Sequence, residues 1–311
     1  MLAIVMLACV SGVRRPRSRF MNDYFGSRRA LIDERLLDLA GHTGAPGPLI
    51  DPLRRSITSP GKRVRGILTL AVGEASGTKP DKLLDAAAAM EIIHTCSLIL
   101  DDLPAMDDAI LRRGAPALHR EFGEDLAILT AVSLLNKAYG LIAVNHAALN
   151  PRQWPLQQVI RRVVDAVGWD GTIAGEAVDL HSEGSKLDFD TLEFIHSRKT
   201  GALFVAAAAV GGMLANTSAA ALGRFEVFAK NLGLAFQITD DILDVIGEPE
   251  QLGKDVHKDE QKLTFVKLAG IDGARKLSEE LVETSLSAIS NLGSAAAPLR
   301  DLAVMVRDRV R

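Results

Sequence analysis

Cysteine and aromatic residues are scarce in this 311-residue chain. It contains two cysteines, Cys9 and Cys96, and aromatic residues make up 5% of the sequence. Two cysteines exclude a disulfide framework and fit a reducing compartment, so we expect a cytoplasmic protein. Because strands favour aromatic and β-branched side chains, the shortage of aromatics in a chain rich in alanine and leucine favours helices.

An excess of either charge is also missing. The chain has 36 Lys and Arg against 39 Asp and Glu, a net charge of -3. Neutralising a phosphate backbone requires a clear basic excess, so this composition excludes a general nucleic-acid-binding protein. The hydrophobic fraction of 48% is enough to bury a large core.

The chain has no apolar run that reads as a membrane span. Residues 1–12 are apolar, but they are too short to cross a bilayer, and their basic residues follow rather than precede the run as in a secretory signal. We expect residues 1–20 to be an N-terminal extension, disordered or upstream of a natural start at Met21, with the folded domain spanning 21–311. A weak membrane anchor is the less favoured alternative, and stable membrane insertion is not expected.

Helical periodicity dominates the rest of the chain, and joints rich in Gly and Pro separate the periodic segments. No pair of strands with a hairpin turn is predicted. The expected fold is all-α, a single-domain bundle around a deep central cavity. The predicted helices are 22–40, 62–76, 80–102, 124–147, 157–179, 189–214, 219–246 and 271–291.

Two acidic motifs stand out against these apolar helices. Asp101, Asp102 and Asp107 follow a strongly apolar segment, and the string alone fits either a magnesium site or a solvated acidic loop. The second motif places its polar residues at i, i+3, i+4 and i+7, on one face of a helix with apolar surroundings. Acids in one stripe repel each other without a cation, which favours a second magnesium surface. That stripe consists of Gln237, Asp240, Asp241 and Asp244.

Four basic groups accompany the acidic motifs. Each alone is typical of a solvated surface, but together with two acidic clusters they predict a site for two diphosphates, one bridged by magnesium and one held by Arg and Lys. The groups are Lys62, Arg63 and Arg65; Arg112 and Arg113; Lys199; and Lys254, Lys258 and Lys262.

These motifs resemble those of the polyprenyl synthetase family over roughly residues 55–270. GKRVR at 61–65, DDLPAMD with LRRG at 101–114, KTG at 199–201 and FQITDDILD at 236–244 occur in the family's order and spacing. The segment from His94 onward is most similar to bacterial geranylgeranyl diphosphate synthases of the carotenoid type. The resemblance implies a homodimeric trans-prenyltransferase of the isoprenoid synthase fold.

The resemblance also assigns roles to individual residues. It implies that isopentenyl diphosphate is joined to an allylic diphosphate (dimethylallyl, geranyl or farnesyl), with three magnesium ions bound beside the allylic substrate. The implied ligands of isopentenyl diphosphate are Lys62, Arg65, His94 and Arg113. Those of the allylic diphosphate are Arg112, Lys199, Thr200, Gln237 and Lys254. The implied magnesium ligands are Asp101, Asp102, Asp107, Asp240 and Asp244, and the expected catalytic groups are Asp101, Asp102, Lys199, Asp240 and Asp241.

The chain departs from the family pattern at two places. Glu176 stands where the family usually has Gln, in Gly175-Glu176-Ala177-Val178-Asp179, and the extra acid in the cavity wall is expected to alter substrate placement. Gln261 stands where the family favours Gly before Lys262. Neither change removes a group that the chemistry requires.

Product length is expected to depend on the residue five positions before Asp101. A bulky aromatic there stops chain growth at fifteen carbons in the family, whereas this chain has the small Cys96, with Ile93 and Ser97 nearby. The prediction is therefore a twenty-carbon product, geranylgeranyl diphosphate, with farnesyl diphosphate as the alternative if Cys96 is only a small core residue.

Two other functions share some of these features. A terpene cyclase has an acidic motif and the same helical fold, but it would have no use for Lys62, Arg65 and His94. A non-catalytic partner subunit of a heteromeric synthase tends to lose acids from one motif, whereas both motifs are intact here.

Overall fold

The computed structural model describes residues 17–182, 189–246 and 264–310 as a helical bundle. The helices are α1 (Arg17–Gly41), α2 (Gly47–Thr58), α3 (Val64–Ala75), α4 (Leu84–Asp101), α5 (Leu118–Phe122), α6 (Glu124–Leu149), α7 (Leu156–Val167), α8 (Thr172–His181), α9 (Phe189–His196), α10 (Ala202–Leu214), α11 (Ala219–Ile246), α12 (Phe265–Ala288) and α13 (Ala297–Asp308). A 3-10 turn, Pro80–Leu83, precedes α4, and two more, Ser290–Leu292 and Ser294–Ala296, lie between α12 and α13. The predicted all-α class is confirmed.

The centre of the bundle consists of the apolar helices α4 and α10 with α3 between them. Small side chains allow close packing, because a Cβ on Gly211 of α10 would lie 2.3 Å from the Thr69 carbonyl oxygen of α3. The Thr69 hydroxyl donates to the Ala207 carbonyl oxygen at 3.1 Å across the same contact. This contact fixes α3, and therefore the basic segment at its N-terminus, against the core.

One predicted helix is in fact two. The segment 157–179 is interrupted between α7 and α8 at Gly168 and Gly171. Gly171 packs so tightly that a Cβ there would lie 2.1 Å from the Ala166 carbonyl oxygen. The apolar periodicity continues across this turn, which is why periodicity alone predicted one continuous helix.

The expectation that the chain has no hairpin is wrong. Strands β1 (Leu111–Arg112) and β2 (Ala115–Pro116) form a two-residue antiparallel ladder directly after the first acidic motif. The turn residues Arg113 and Gly114 both have positive φ, 55° and 78°. Such a turn joins two short strands without a long periodic run, so the sequence pattern gave no strand signal.

Further differences concern helix ends. Helix α2 was not among the predicted helices, and it contains Pro52 in its interior. The predicted helix 189–214 contains a π-helical turn, Ser197–Gly201, between α9 and α10. The predicted start at residue 271 matches a backbone break at Gly270, whose φ of 72° separates the first residues of α12 from the rest.

Two helical segments are long and apolar enough to cross a membrane by length and composition, Pro80–Asp101 and Glu124–Leu149. The first is 61% buried inside the bundle over its most apolar window, which is typical of a core helix. The second is only 39% buried over that window. Its outer face carries Leu129 and Val132, both more than half exposed.

The predicted boundary at residue 20 stays a prediction. Residues 17–20 belong to α1, and residues 1–16 lie outside the described part of the chain.

Candidate active site

A group of cationic side chains surrounds His94 on α4. The charges of Arg65, Arg113, Arg112 and Arg63 all reach this imidazole. Burial, together with those four guanidinium groups, holds the pKa of His94 well below its usual value. His94 is therefore neutral at physiological pH and can donate one hydrogen bond without adding to the positive charge.

The basic segment is held in place by a carboxylate from α4. Arg63 has a left-handed backbone conformation, φ 54°, and its buried guanidinium donates to Asp33 at 2.7 Å. The Gly66 amide donates to Glu91 Oε1 at 2.8 Å, one helical turn before His94. Asp33 and Glu91 thus position the segment that carries Arg65, and the sequence patterns had assigned neither residue a role.

Arg65 is a buried cation with incomplete pairing. Burial lowers the pKa of Arg65 to about 10, against the opposing effect of the Glu91 and Asp240 carboxylates. The guanidinium lies 5.0 Å over the Phe204 ring, and its buried Nε has no hydrogen-bond partner among the described residues. Buried donors of this kind are costly unless an acceptor arrives, so this region is suited to an anion.

The first acidic motif forms a closed turn at the end of α4. The Asp107 amide donates to the Asp101 carbonyl oxygen at 2.9 Å, and the Ala109 amide donates to that of Asp102 at 3.1 Å. Asp102 is 2% exposed and accepts a forked hydrogen bond from Arg112, with Nε at 2.8 Å from Oδ1. The predicted metal ligand Asp102 and the predicted diphosphate ligand Arg112 are therefore paired with each other in this structure.

The charge of Asp101 is less well compensated than that of Asp102. Burial raises the pKa of Asp101 to about 7, and the negative charges of Glu176 and Asp107 add to the effect while Lys199 opposes it. A carboxylate in this situation gains from any further cation.

Lys199 lies in the π-helical turn Ser197–Gly201, facing α8. Its ammonium donates to Asp179 Oδ2 at 2.8 Å and lies 2.6 Å from Glu176 Oε2. Asp179, Glu176 and Asp101 hold the pKa of Lys199 above its usual value despite burial. Gly175 permits this approach, because a Cβ there would lie 2.4 Å from the Lys199 backbone nitrogen. Single π-helical turns of this kind are frequent at functional sites.

The second acidic motif is connected to the same turn by hydrogen bonds. The Thr200 hydroxyl donates to Gln237 Oε1 at 2.8 Å, and the Gln237 amide donates to Asp241 Oδ1 at 2.9 Å. The Phe265 amide donates to Asp241 Oδ2 at 3.3 Å. Burial raises the pKa of Asp241 to about 7, with hydrogen bonds opposing the effect and the charges of Asp240 and Asp244 adding to it.

Asp240 contacts a residue that the sequence patterns did not single out. Arg309, just after α13, places Nη2 2.7 Å from Asp240 Oδ1 and stacks over Phe236 at 4.9 Å. The two residues are 69 positions apart in the chain, and no local pattern connects them. Asp240 also acts electrostatically on Arg65, which places the second acidic motif beside the cationic group around His94.

His196 is a further buried group beside the second motif. It packs against the Phe265 ring with centroids 5.2 Å apart, and its Nε2 lies 3.9 Å from Asp241 Oδ2. Burial lowers the pKa of His196 to about 4, so the imidazole is neutral and adds no charge next to Asp241.

The tail path predicted from Asp101 runs along α4. Cys96 is 5% exposed, and burial raises the pKa of its thiol to about 11. Burial and the nearby Cys96 also raise the pKa of Tyr139 on α6. Tyr139 is thus an aromatic neighbour that the sequence reasoning missed. Ile93 is buried and Ser97 partly buried.

A cavity of about 250 Å³ lies between α2, the C-terminal end of α4 and the hairpin. Its wall includes Thr95, Leu98, Ile99, Asp102, Arg112 and Arg113. Ile93, Cys96 and Ser97, the residues named for the tail path, are absent from that wall, and the cavity instead adjoins predicted diphosphate ligands.

The carboxylates fit magnesium by their chemistry. Asp241 is buried and Asp101 is partly buried, and the raised pKa values of both carboxyls reflect desolvation and like-charge neighbours. Hard oxygen donors of this kind, without cysteine, suit a divalent magnesium ion that also carries substrate phosphates. In the described residues, no three acidic or histidine side chains are yet grouped as a closed metal cage.

Other predicted residues are only partly located. Lys254 lies outside the described residues, as do Lys258 and Lys262. Lys62 is exposed at the start of the basic segment, whereas Asp107 and Asp244 are partly buried.

Comparison with known proteins places this geometry in a family. The profile described as polyprenyl synthetase matches residues 47–295. The chain is 40% identical over 289 residues to the geranylgeranyl diphosphate synthase of Cyanophora paradoxa, covering 92% of this chain and 95% of that protein.

Two solved structures have the same fold over nearly the whole chain. The FPP/GFPP synthase from Zymomonas mobilis has a TM-score of 0.81 at 28% identity and covers 93% of this chain and 99% of its own. A geranyltransferase from Helicobacter pylori, complexed with magnesium and isoprenyl diphosphate, has a TM-score of 0.79 at 27% identity, with coverages of 95% and 98%.

The chain belongs to the polyprenyl synthetase family. It is a trans-prenyltransferase of the all-α isoprenoid synthase fold, as the motifs predicted.

Proposed function

We propose that the protein joins isopentenyl diphosphate to dimethylallyl, geranyl and farnesyl diphosphates in a magnesium-dependent reaction that ends at geranylgeranyl diphosphate. The observation that carries the proposal is the pairing of two unlike anion sites in one bundle. Arg65, Arg113 and neutral His94 form the first. The second anion site consists of Lys199, which lies between the two acidic motifs.

The reaction assigned to this site is ionisation followed by addition. Lys199, Thr200 and Gln237 would bind the departing allylic diphosphate, and the buried surroundings would keep water from the allylic cation. Arg65 and Arg113 would hold isopentenyl diphosphate so that its double bond faces the cationic carbon. The new bond forms there, and the proton lost afterwards passes to the released diphosphate.

Magnesium is the proposed cofactor, with Asp101, Asp107, Asp240 and Asp244 as the first candidates to hold it and Asp102 as a further one. When bound, it would supply charge stabilisation for the departing diphosphate. Three ions are proposed, following the family pattern. The solved relative from Helicobacter pylori is described with magnesium and isoprenyl diphosphate, which supports the choice of ion.

The proposed product has twenty carbons. The geranylgeranyl diphosphate synthase of Cyanophora paradoxa and the small Cys96 both support this length. The similarity to the FPP/GFPP synthase from Zymomonas mobilis keeps farnesyl diphosphate as the second candidate. Chromatography of the chains released by phosphatase treatment separates the two.

A homodimer in the cytoplasm completes the proposal. The outer face of α6 carries Ile128, Leu129, Val132 and Val144, each at least 43% exposed, and an apolar face of this kind favours a protein interface. The low cysteine content supports a reducing compartment.

The decisive experiment is incubation of the purified protein with isopentenyl diphosphate, each allylic diphosphate in turn and magnesium. Chain growth is the expected result, and Asp101→Asn, which removes one charge at constant shape, is the inactive control. A cyclase would consume the allylic substrate without incorporating the isopentenyl unit, and a non-catalytic subunit would make nothing alone. Either outcome would refute the proposed function.

A further inference from the structure

Glu176 is a buried carboxylate directly beside the ammonium of Lys199. The residue is 9% exposed, and Oε2 lies 2.6 Å from Lys199 Nζ. Within the described residues, neither Glu176 oxygen has a hydrogen-bond partner, so the contact with Lys199 is an ion pair without hydrogen-bond geometry. The close approach at Gly175, one residue earlier on α8, leaves Glu176 little freedom to move away.

Lys199 already has a carboxylate partner without Glu176. Asp179 Oδ2 accepts its hydrogen bond at 2.8 Å, and the charge of Asp101 also acts on this ammonium. One ammonium thus faces three carboxylates, a net negative group at a position assigned to a negatively charged substrate. An uncompensated buried carboxylate repels an arriving diphosphate as well as holding the lysine.

We propose that Glu176 competes with the allylic diphosphate for Lys199 and so sets a weak affinity for that substrate and for released inorganic diphosphate. This rests on the proposed function, which assigns Lys199 to the allylic diphosphate. Glu176 then lowers the affinity of the allylic site by acting through Lys199, and its charge, rather than its shape, carries the effect.

A weak hold on diphosphate has a clear use in chain elongation. Each condensation leaves inorganic diphosphate where the next, longer allylic diphosphate must bind. Because Glu176 can pair with Lys199 again, it helps inorganic diphosphate to dissociate before the next allylic diphosphate binds.

The variant Glu176→Gln tests this because it removes the charge and keeps the shape. The probes are geranyl S-thiolodiphosphate, an unreactive allylic analogue titrated in the presence of magnesium, and inorganic diphosphate as an inhibitor. Both are expected to bind more tightly by on the order of tenfold, as removal of one nearby like charge in a partly buried site predicts. The KM for isopentenyl diphosphate should stay within about twofold, since Glu176 contacts none of the residues assigned to it.

Three further variants guard against a trivial result. Glu176→Asp keeps the charge and is expected to bind the analogue nearly as the wild type does, whereas Glu176→Ala should bind it more tightly even if Glu176→Gln fails to fold. Glu283→Gln removes the same charge from an exposed position on α12 and should change nothing.

Unchanged or weaker binding of the analogue in folded Glu176→Gln or Glu176→Ala would overturn the inference. A purely structural role of Glu176 would weaken binding, so tighter binding is diagnostic. Failure of the wild-type protein and of every folded Glu176 variant to bind the analogue would instead sink the proposed function, and the two failures are therefore distinguishable.

Discussion

Replacing Cys96 by phenylalanine should shorten the product from twenty carbons to fifteen. Cys96 is on α4, five residues before Asp101, and therefore about 7.5 Å from it along the helix axis at 1.5 Å per residue. A phenyl ring at that depth would occupy the space that the last isoprene unit needs, while the diphosphate end of the site stays unchanged.

The cost in stability should be tolerable. Cys96 is 5% exposed, so the ring must be accommodated partly in the core, and overpacking of this kind costs about 1–3 kcal/mol. Part of the ring can enter the tail path itself, which places the expected cost at the lower end. The variant should therefore fold and retain turnover with dimethylallyl and geranyl diphosphates.

The assay is chromatography of dephosphorylated products at low conversion, with thermal denaturation run in parallel. Leu98→Phe is the matched control for product length, because Leu98 lies two residues further along α4 and lines the cavity beside Arg112 and Arg113 instead of the predicted tail path. Its product should remain at twenty carbons. An unchanged product distribution in a folded, active Cys96→Phe protein would refute the reasoning and show that Cys96 is only a small core residue.

Three further predictions address substrates, metal and assembly. Arg65→Ala should mainly raise the KM for isopentenyl diphosphate, and Lys199→Ala should mainly raise the KM for the allylic substrate. Each rise should be about 10- to 150-fold, which corresponds to a lost charged hydrogen bond of about 1.5–3 kcal/mol. Kinetics with each substrate varied in turn measure both, and a reversed pattern would contradict the assignment. Magnesium should raise the Tm more at pH 8 than at pH 6, because the pKa of Asp101 is raised to about 7 and protons compete with the ion below that pH. Calorimetry should find this pH difference reduced in Asp101→Asn. An equal rise in Tm at both pH values in the wild type would contradict the role of Asp101. Leu129→Asp combined with Val132→Asp should convert a dimer to monomers in light scattering at unchanged fold, and a dimer that survives both charges would exclude this face as the interface.

Much of the fold followed from helical period and from the joints between helices. The apolar segments now seen as α4, α6 and α11 were predicted within a few residues of their bounds, because long apolar helices keep their pattern throughout. The break at Gly168 and Gly171 and the hairpin at Arg113 and Gly114 were missed. Both depend on a few backbone torsion angles in short turns, and apolar periodicity does not record those angles.

The site residues were easier to name than their partners. The acidic stripe from Gln237 to Asp244 could be placed on one helix face, and the hydrogen bond from Gln237 to Asp241 agrees with that spacing. The pairing of Asp240 with Arg309 could not be predicted, because it joins α11 to the end of α13 through tertiary packing alone. The same holds for the hydrogen bond from Gly66 to Glu91, whose two residues belong to different helices.

The distribution of these ion pairs indicates how the site changes when substrates arrive. Asp102 is paired with Arg112, Asp240 with Arg309, and Lys199 with Asp179 and Glu176, so several groups assigned to diphosphate or magnesium already hold a partner of opposite charge. On these assignments, we expect binding to exchange partners rather than fill vacant positions, so that the net affinity is the difference between two sets of charge pairs. The charges of Arg65 and Asp101 are less completely compensated: Arg65 Nε has no hydrogen-bond partner in the described part of the chain, and the pKa of Asp101 is raised. These two groups gain most from an arriving anion and cation respectively, and the exchange is expected to begin there.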